Sequence, residues 1–367
     1  MKIIQLVANH ISAPGGMEHY TLGLAKKLRE DHQIFTDFFC YCELENMEKD
    51  KTKVVIDGFS SINIYYANSS DILSLFSSAL TEGVDGIVLH YTPLASWLLG
   101  YLQSLRKNYK FKLLVVFHDC LYVPSLIKDK ISYKIRYFLG NDKSPNLMAS
   151  KFAKIADHVL TFSGKYKSII SQWVRHPVAC IPVYSTIGEP RPIPPLNKRT
   201  RRMVVFGKPY RRKRVYQEAI QALIESCHNL GIQEIYDIGR SREREHEVNI
   251  PDLPEVKILV MGEQPPEQIS QVMLTSLAGF IYYDPAYLGK STIFAALCAH
   301  GVIPIFSKST TSVADGVEAN KHYLVPNNYM KNVNEMELQS ISDSVYRWYG
   351  NHSLEKTVEI YASLLRK

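Results

Sequence analysis

Two rhythms of apolar residues alternate along the chain. Short apolar runs stand at 3–8, 34–41, 53–56, 86–91, 112–117, 158–162 and 179–183, and the text between them follows a helical period. "GGMEHYTLGLAKKLRED" puts Met17, Tyr20, Leu24 and Leu28 on one side with lysines opposite. "SSDILSLFSSALTEG" opens on a serine cap and closes on Gly83. Past residue 202 the alternation restarts, with strands predicted at 203–206, 234–238, 256–261, 279–283 and 302–306. Helices are predicted at 214–229, 266–276 and 291–300, followed by a helix-rich tail over 335–367. Largely apolar strands interleaved with helices are the pattern of parallel sheets covered on both faces.

A break separates the two series. "IGEPRPIPPLNKRTRR", residues 187–202, has four prolines and no apolar period, which reads as a linker. With 367 residues the chain also exceeds what one core usually supports. The predicted class is α/β, with two Rossmann-like domains facing a cleft. The first, 1–186, is the acceptor-side domain and 187–202 the linker. The second spans 203–345, and a C-terminal helix, 346–367, crosses back to the N-terminal domain.

Composition narrows the setting. The hydrophobic share is 46%, the charged share 22% and the net charge +7, as in a water-soluble protein drawn to anions. Six scattered cysteines do not form a disulfide framework. No basic-then-apolar leader opens the sequence, and "PLASWLLGYLQSL" stays apolar for about ten residues where a span needs ~20. A cytoplasmic protein is expected, without nucleic acid as a partner, because the basic runs lack aromatic interleaving.

In open α/β sheets ligands sit beyond the carboxyl ends of strands, so loops after strands carry the candidate chemistry. "NHISAPGGMEHY" places Gly15 and Gly16 before a helix, where bare amides accept an anion; a plain turn uses the same residues. In "LLVVFHDC" His118 and Asp119 immediately follow an apolar strand, suited to a sugar hydroxyl or to shaping charge at a reacting centre, and equally to capping the next segment. "FGKPYRRKRV" places Lys208 and Lys213 one and six residues past Gly207, where both can meet a diphosphate; Arg211, Arg212 and Arg214 read as solvated. "YYDPAYLGKSTIFAALCAHGVIPIF" carries Gly289, Lys290, Ser291 and Thr292 before a helix, a phosphate-oxygen site by its amides, lysine and hydroxyls. It is not a P-loop, because no glycine stands five residues before Gly289. No cluster at ligand spacing predicts a metal.

In this order, with "ADHVLTFSGKYKSII" before the linker, these pieces resemble the GT-B glycosyltransferases, in particular the large retaining family-4 group that uses nucleotide-sugars. The resemblance covers nearly the whole chain. "GKPYRRKRV" is similar to the family's Gly-Arg-x-x-x-x-Lys-Gly-Val, which implies that Lys208 and Lys213 grip the donor diphosphate. His118 matches the family's histidine near the transferred sugar, and Gly16 its glycine loop beside donor phosphates and acceptor. One departure is large: the paired glutamates of the group fall on Leu288 and Ala296, with Asp284 and Tyr287 as candidate replacements for the sugar contacts.

The resemblance implies a metal-independent, retaining glycosyltransferase of hexosyl type, with a nucleotide-diphosphate sugar as co-substrate and no other cofactor. It would serve a glycan or lipid-linked acceptor in cell-surface polysaccharide or glycoconjugate synthesis. The missing glutamates keep two alternatives in view, a nucleotide-sugar epimerase and an inactive relative that binds a glycan or a partner. Residues 125–139 set Ile127, Ile131, Ile135 and Phe138 in a stripe flanked by cations. The stripe suits peripheral contact with the inner face of the plasma membrane, or inward packing as an ordinary helix.

Overall fold

The computed structural model describes residues 1–8, 16–40, 64–66, 69–118, 145–243, 246–253, 255–308 and 315–367. They divide into two compact units, Met1–Ile181 with Thr357–Lys367, and Pro182–Lys356.

The first unit is built on seven parallel strands: β1 Lys2–Val7, β2 Phe35–Cys40, β3 Ile64–Tyr66, β4 Gly86–Tyr91, β5 Lys112–Phe117, β6 His158–Thr161 and β7 Val178–Cys180. Their order is β3-β2-β1-β4-β5-β6-β7. β4 lies in the middle with all six residues buried, which is why it reads as a mostly apolar run interrupted only by His90. β7 stops early because Ile181 makes the last bond, to the Thr161 carbonyl at 3.1 Å, and Pro182 has no N–H to follow it.

The end of the chain belongs to this unit. Within the helix Leu354–Arg366, Tyr361 is buried with its hydroxyl 3.3 Å from that of Tyr20. Arg366 donates to the His32 carbonyl at 3.0 Å, and Lys112 Nζ donates to the Lys367 carbonyl at 2.8 Å.

The second unit holds β8 Thr200–Phe206, β9 Glu234–Ile238, a small antiparallel hairpin β10 Arg242–Glu243 and β11 His246–Glu247, then β12 Lys257–Gly262, β13 Ser276–Ile281 and β14 Ile303–Phe306. Its main sheet is parallel, in the order β12-β9-β8-β13-β14. Both main sheets thus reverse direction of growth, beside β1 in one and beside β8 in the other. Such switch points open a crevice at the strand ends.

Several elements differ from the sequence expectation. The helix expected at 214–229 is two, Pro209–Glu218 and Ile220–Leu230, meeting at Ala219. The first begins at Pro209 because proline suits the opening position of a helix, where its missing N–H leaves no bond unmade. β13 lies three residues earlier than expected at its start, so Tyr282 and Tyr283 fall beyond it. β3 was not expected, and the strand expected at 53–56 lies outside the described residues. The proline-rich stretch is partly built in: Leu196 is buried, and Arg199 donates to the carbonyls of Pro194, Ser276 and His300.

No helix among the described residues is long and apolar enough to cross a membrane. "PLASWLLGYLQSL" forms a turn at Pro93–Trp97 and the start of the helix Leu98–Asn108, which buries Leu98, Leu99, Leu102 and Leu105. Residues 125–139 lie outside the described residues.

Candidate functional site

In the second unit the candidate residues gather where β8, β9 and β13 end. Gly207 follows β8 with φ +127, and a Cβ there would stand 2.6 Å from Ile293 Cδ1. Gly239 follows β9 with φ +138, and its Cβ would lie 2.4 Å from the Gly207 carbonyl oxygen. Only glycine fits both constraints, so the ends of β8 and β9 close against each other and the helix Thr292–Ala299 closes against Gly207. Lys208 is the exposed N-cap of the helix Pro209–Glu218, which no side chain caps.

The five cations of "KPYRRKR" have separate fates. Arg214 is paired with Glu218 at 2.8 Å and lies 4.3 Å from the Tyr282 ring centroid. Arg211 lies over the rings of Tyr210 and Tyr283, at 4.9 and 4.7 Å. Arg212, expected to be solvated, is buried: Nη1 is 3.2 Å from Asp237 Oδ1, and Nη2 donates to the Arg240 carbonyl at 2.8 Å. The Nη1–Oδ1 pairing is one of charge, without hydrogen-bond alignment. Tyr216 donates to Asp237 Oδ2 at 2.8 Å, and desolvation raises the Asp237 carboxyl above its usual range. Lys213 is half-buried and makes no hydrogen bond or ion pair with the described residues.

The loop after β13 offers less than its sequence promised. The Gly289 amide is committed to Asp315 Oδ2 at 3.0 Å, and its carbonyl accepts from the Val183 N–H at 2.7 Å. The Ser291 hydroxyl is buried and caps the helix Thr292–Ala299, accepting from the Phe294 N–H at 3.2 Å. Asp284 is exposed and caps the turn Pro285–Lys290 through the Ala286 N–H at 2.9 Å. Lys290 Nζ lies 5.9 Å from the Tyr287 ring centroid. Thr292 opens its helix half-buried, one residue before the Ile293 that touches Gly207. Leu288 and Ala296, in the glutamate places, are core residues with 1% and 0% exposure.

In the first unit, His118 stands half-buried just past β5. Its Nε2 is 2.9 Å from Nδ1 of His90 on β4, and His90 Nε2 is 2.8 Å from Gln5 Oε1 on β1. The rings of Phe162 and Tyr20 lie 4.8 and 5.8 Å from that of His118. Burial, with His118 adding a smaller effect, holds His90 well below the usual histidine pKa. Gly16 is the first residue of the helix Gly16–His32, whereas Gly15 and Asp119 lie outside the described residues. Among the described residues no three His, Cys, Asp or Glu side chains are grouped to hold a metal ion.

Sequence reasoning missed Gln5, His90, Arg212 and Asp237. The signal was a polar residue inside an apolar strand: Gln5 in "KIIQLV", His90 in "GIVLHY" and Asp237 in "EIYDI".

No protein-family model matches the chain, and no curated protein matches its sequence. Solved structures do resemble it. Trehalose-6-phosphate synthase OtsA superposes with a TM-score of 0.64 at 12% identity, covering 100% of this chain and 99% of that one. The lipopolysaccharide outer core galactosyltransferase WaaB gives 0.55 at 14% identity, with full coverage of both chains. The pneumococcal O-GlcNAc transferase GtfA, in complex with UDP and GlcNAc, gives 0.57 at 10% identity, covering 100% and 98%. With its two parallel, doubly wound sheets, the chain therefore has the GT-B fold that these sugar-transferring enzymes share.

Proposed function

We propose that the chain is a glycosyltransferase of hexosyl type, moving a sugar from a nucleotide-diphosphate sugar to a glycan or lipid-linked acceptor. The observation that carries this reading is the position of Lys208 and Lys213. They lie one and six residues past Gly207, at the switch point of the second sheet, on a fold shared with sugar-transferring enzymes. Two ammonium groups beside the N-terminus of the helix Pro209–Glu218 can neutralise a departing diphosphate without a divalent ion.

On this reading Lys208, Lys213, Lys290 and Thr292 hold the donor phosphates, while Ser291 shapes the loop by capping the helix Thr292–Ala299. His118 makes the sugar contact, and Gly15 and Gly16 the phosphate or acceptor contact, that the family resemblance implies. Retention at the anomeric carbon, metal independence, a role in cell-surface polysaccharide synthesis and peripheral membrane contact through 125–139 belong to the same proposal.

Thermal-shift measurements with UDP, GDP, ADP and their sugars test it, because a ligand that binds only the folded state raises Tm by mass action. Stabilisation by one nucleotide, together with acceptor-dependent release of its diphosphate, is the expected result. A second reading, an inactive relative that binds a glycan or partner, draws on Leu288 and Ala296, which offer no carboxylate. Absence of a shift with every nucleotide favours it, whereas a donor isomerised without any acceptor favours an epimerase.

A further inference from the structure

The polar chain Gln5–His90–His118 crosses three neighbouring strands of the first sheet, in the order β1, β4, β5. Gln5 and His90 are wholly buried, and His118 reaches partial exposure. The direction of the hydrogen bonds follows from the inventory of donors and acceptors. The structure turns the Gln5 carbonyl oxygen to His90, and in that amide orientation a carbonyl oxygen only accepts, so His90 carries its proton on Nε2. Its Nδ1 then presents a lone pair, and the contact of 2.9 Å requires His118 to donate from Nε2. A neutral His118 arranged in this way has an unprotonated Nδ1.

We propose that Gln5 and His90 are positioning residues that fix the tautomer of His118, keeping Nδ1 as the nitrogen that accepts a hydrogen bond or a proton from a sugar hydroxyl. This deepens the proposed function and rests on it for the identity of the hydroxyl. Two further observations support it. Phe162 and Tyr20 pack on the His118 ring and limit its rotation. His90, held neutral by burial, remains an acceptor when His118 takes up a proton, so Nδ1 can gain or lose that proton without rearranging the buried chain.

Nitrogen-15 NMR of the full-length protein labelled at histidine reads the tautomer directly, with the His118 signals identified by their loss in His118→Asn. The expected spectrum shows His118 protonated at Nε2 and bare at Nδ1. His90→Leu and Gln5→Leu should each convert this single form to a mixture, and His90→Asn, whose Oδ1 can accept in place of Nδ1, should restore it. Where a donor is turned over, kcat should fall roughly tenfold or more in His90→Leu, with KM for the donor little changed, and recover in His90→Asn.

Protonation at Nδ1 in the wild type overturns the proposal. So does an unchanged tautomer in a folded leucine variant, or a shifted tautomer with kcat intact. If the wild type turns over no nucleotide-sugar, the proposed function fails, and the spectra alone still decide the assignment of Gln5 and His90. Should His90→Leu not fold, Gln5→Leu and the wild-type spectrum carry the same decision.

Discussion

Arg212 and Asp237 face each other at 3.2 Å with 1% and 0% of their side chains exposed. A charge left alone there has no water to turn to, so removing one partner costs far more than the pair contributes. Arg212→Met should lower stability by roughly 3–5 kcal/mol in urea denaturation. Adding Asp237→Leu should recover most of that loss. A single variant within about 1 kcal/mol of the wild type means that solvent reaches the pair after all.

Lys213 is the next residue along, and its prediction is the opposite. Lacking a partner among the described residues, it should be replaceable by alanine within about 0.5 kcal/mol of stability. The same variant should lose the thermal stabilisation given by a nucleotide. Retention of the full shift moves the diphosphate elsewhere.

Gly207 and Gly239 separate two kinds of strain. A methyl at Gly207 meets the tip of Ile293, which can rotate away, so most of the cost of Gly207→Ala lies in its φ of +127. That cost should be about 1–3 kcal/mol, and Ile293→Ala should relieve little of it. A methyl at Gly239 meets the Gly207 carbonyl, which is backbone. Gly239→Ala should therefore be the more damaging of the two by chemical denaturation, and the reverse order contradicts the packing described.

Of the four buried histidines among the described residues, His90, His300 and His352 dominate the acid limit of the fold, with His322 shifted by burial in the same direction. Burial drops His300 to about 4 and His352 to about 3, and holds His90 well below the ordinary value. All three are neutral in the native state, while the unfolded chain protonates them near pH 6.5. The unfolded state thus binds more protons as pH falls below about 6.5, and stability should drop by about 4–6 kcal/mol between pH 7 and 5. That is comparable with the whole stability of many domains. His352→Phe should flatten the dependence by about one third. A urea midpoint constant from pH 7 to 5 rules the mechanism out.

The alternation of apolar runs and helical periods was enough to read two parallel sheets, because strands buried on both faces carry few polar interruptions. The interruptions were harder to interpret. Arg212 sits three and four residues before Val215 and Tyr216, both buried, so its helical face pointed inward. The density of charge around it hid that periodicity. Gln5 and His90 stood in plain view inside strands, yet their partners lie tens of residues away, and only strand order brings them together. Ser291 and Gly289 failed in another way: their types suit phosphate, but capping and a bond to Asp315 had already claimed their polar groups.

The closing helix has a consequence for biosynthesis. Because residues 357–367 complete the unit that holds Met1–Ile181, the core of the first sheet is whole only after the entire second unit has been made. A nascent chain stalled after β14 would carry a finished second sheet beside an unfinished first one. Tyr20, not yet joined by Tyr361, would lie in that unfinished core.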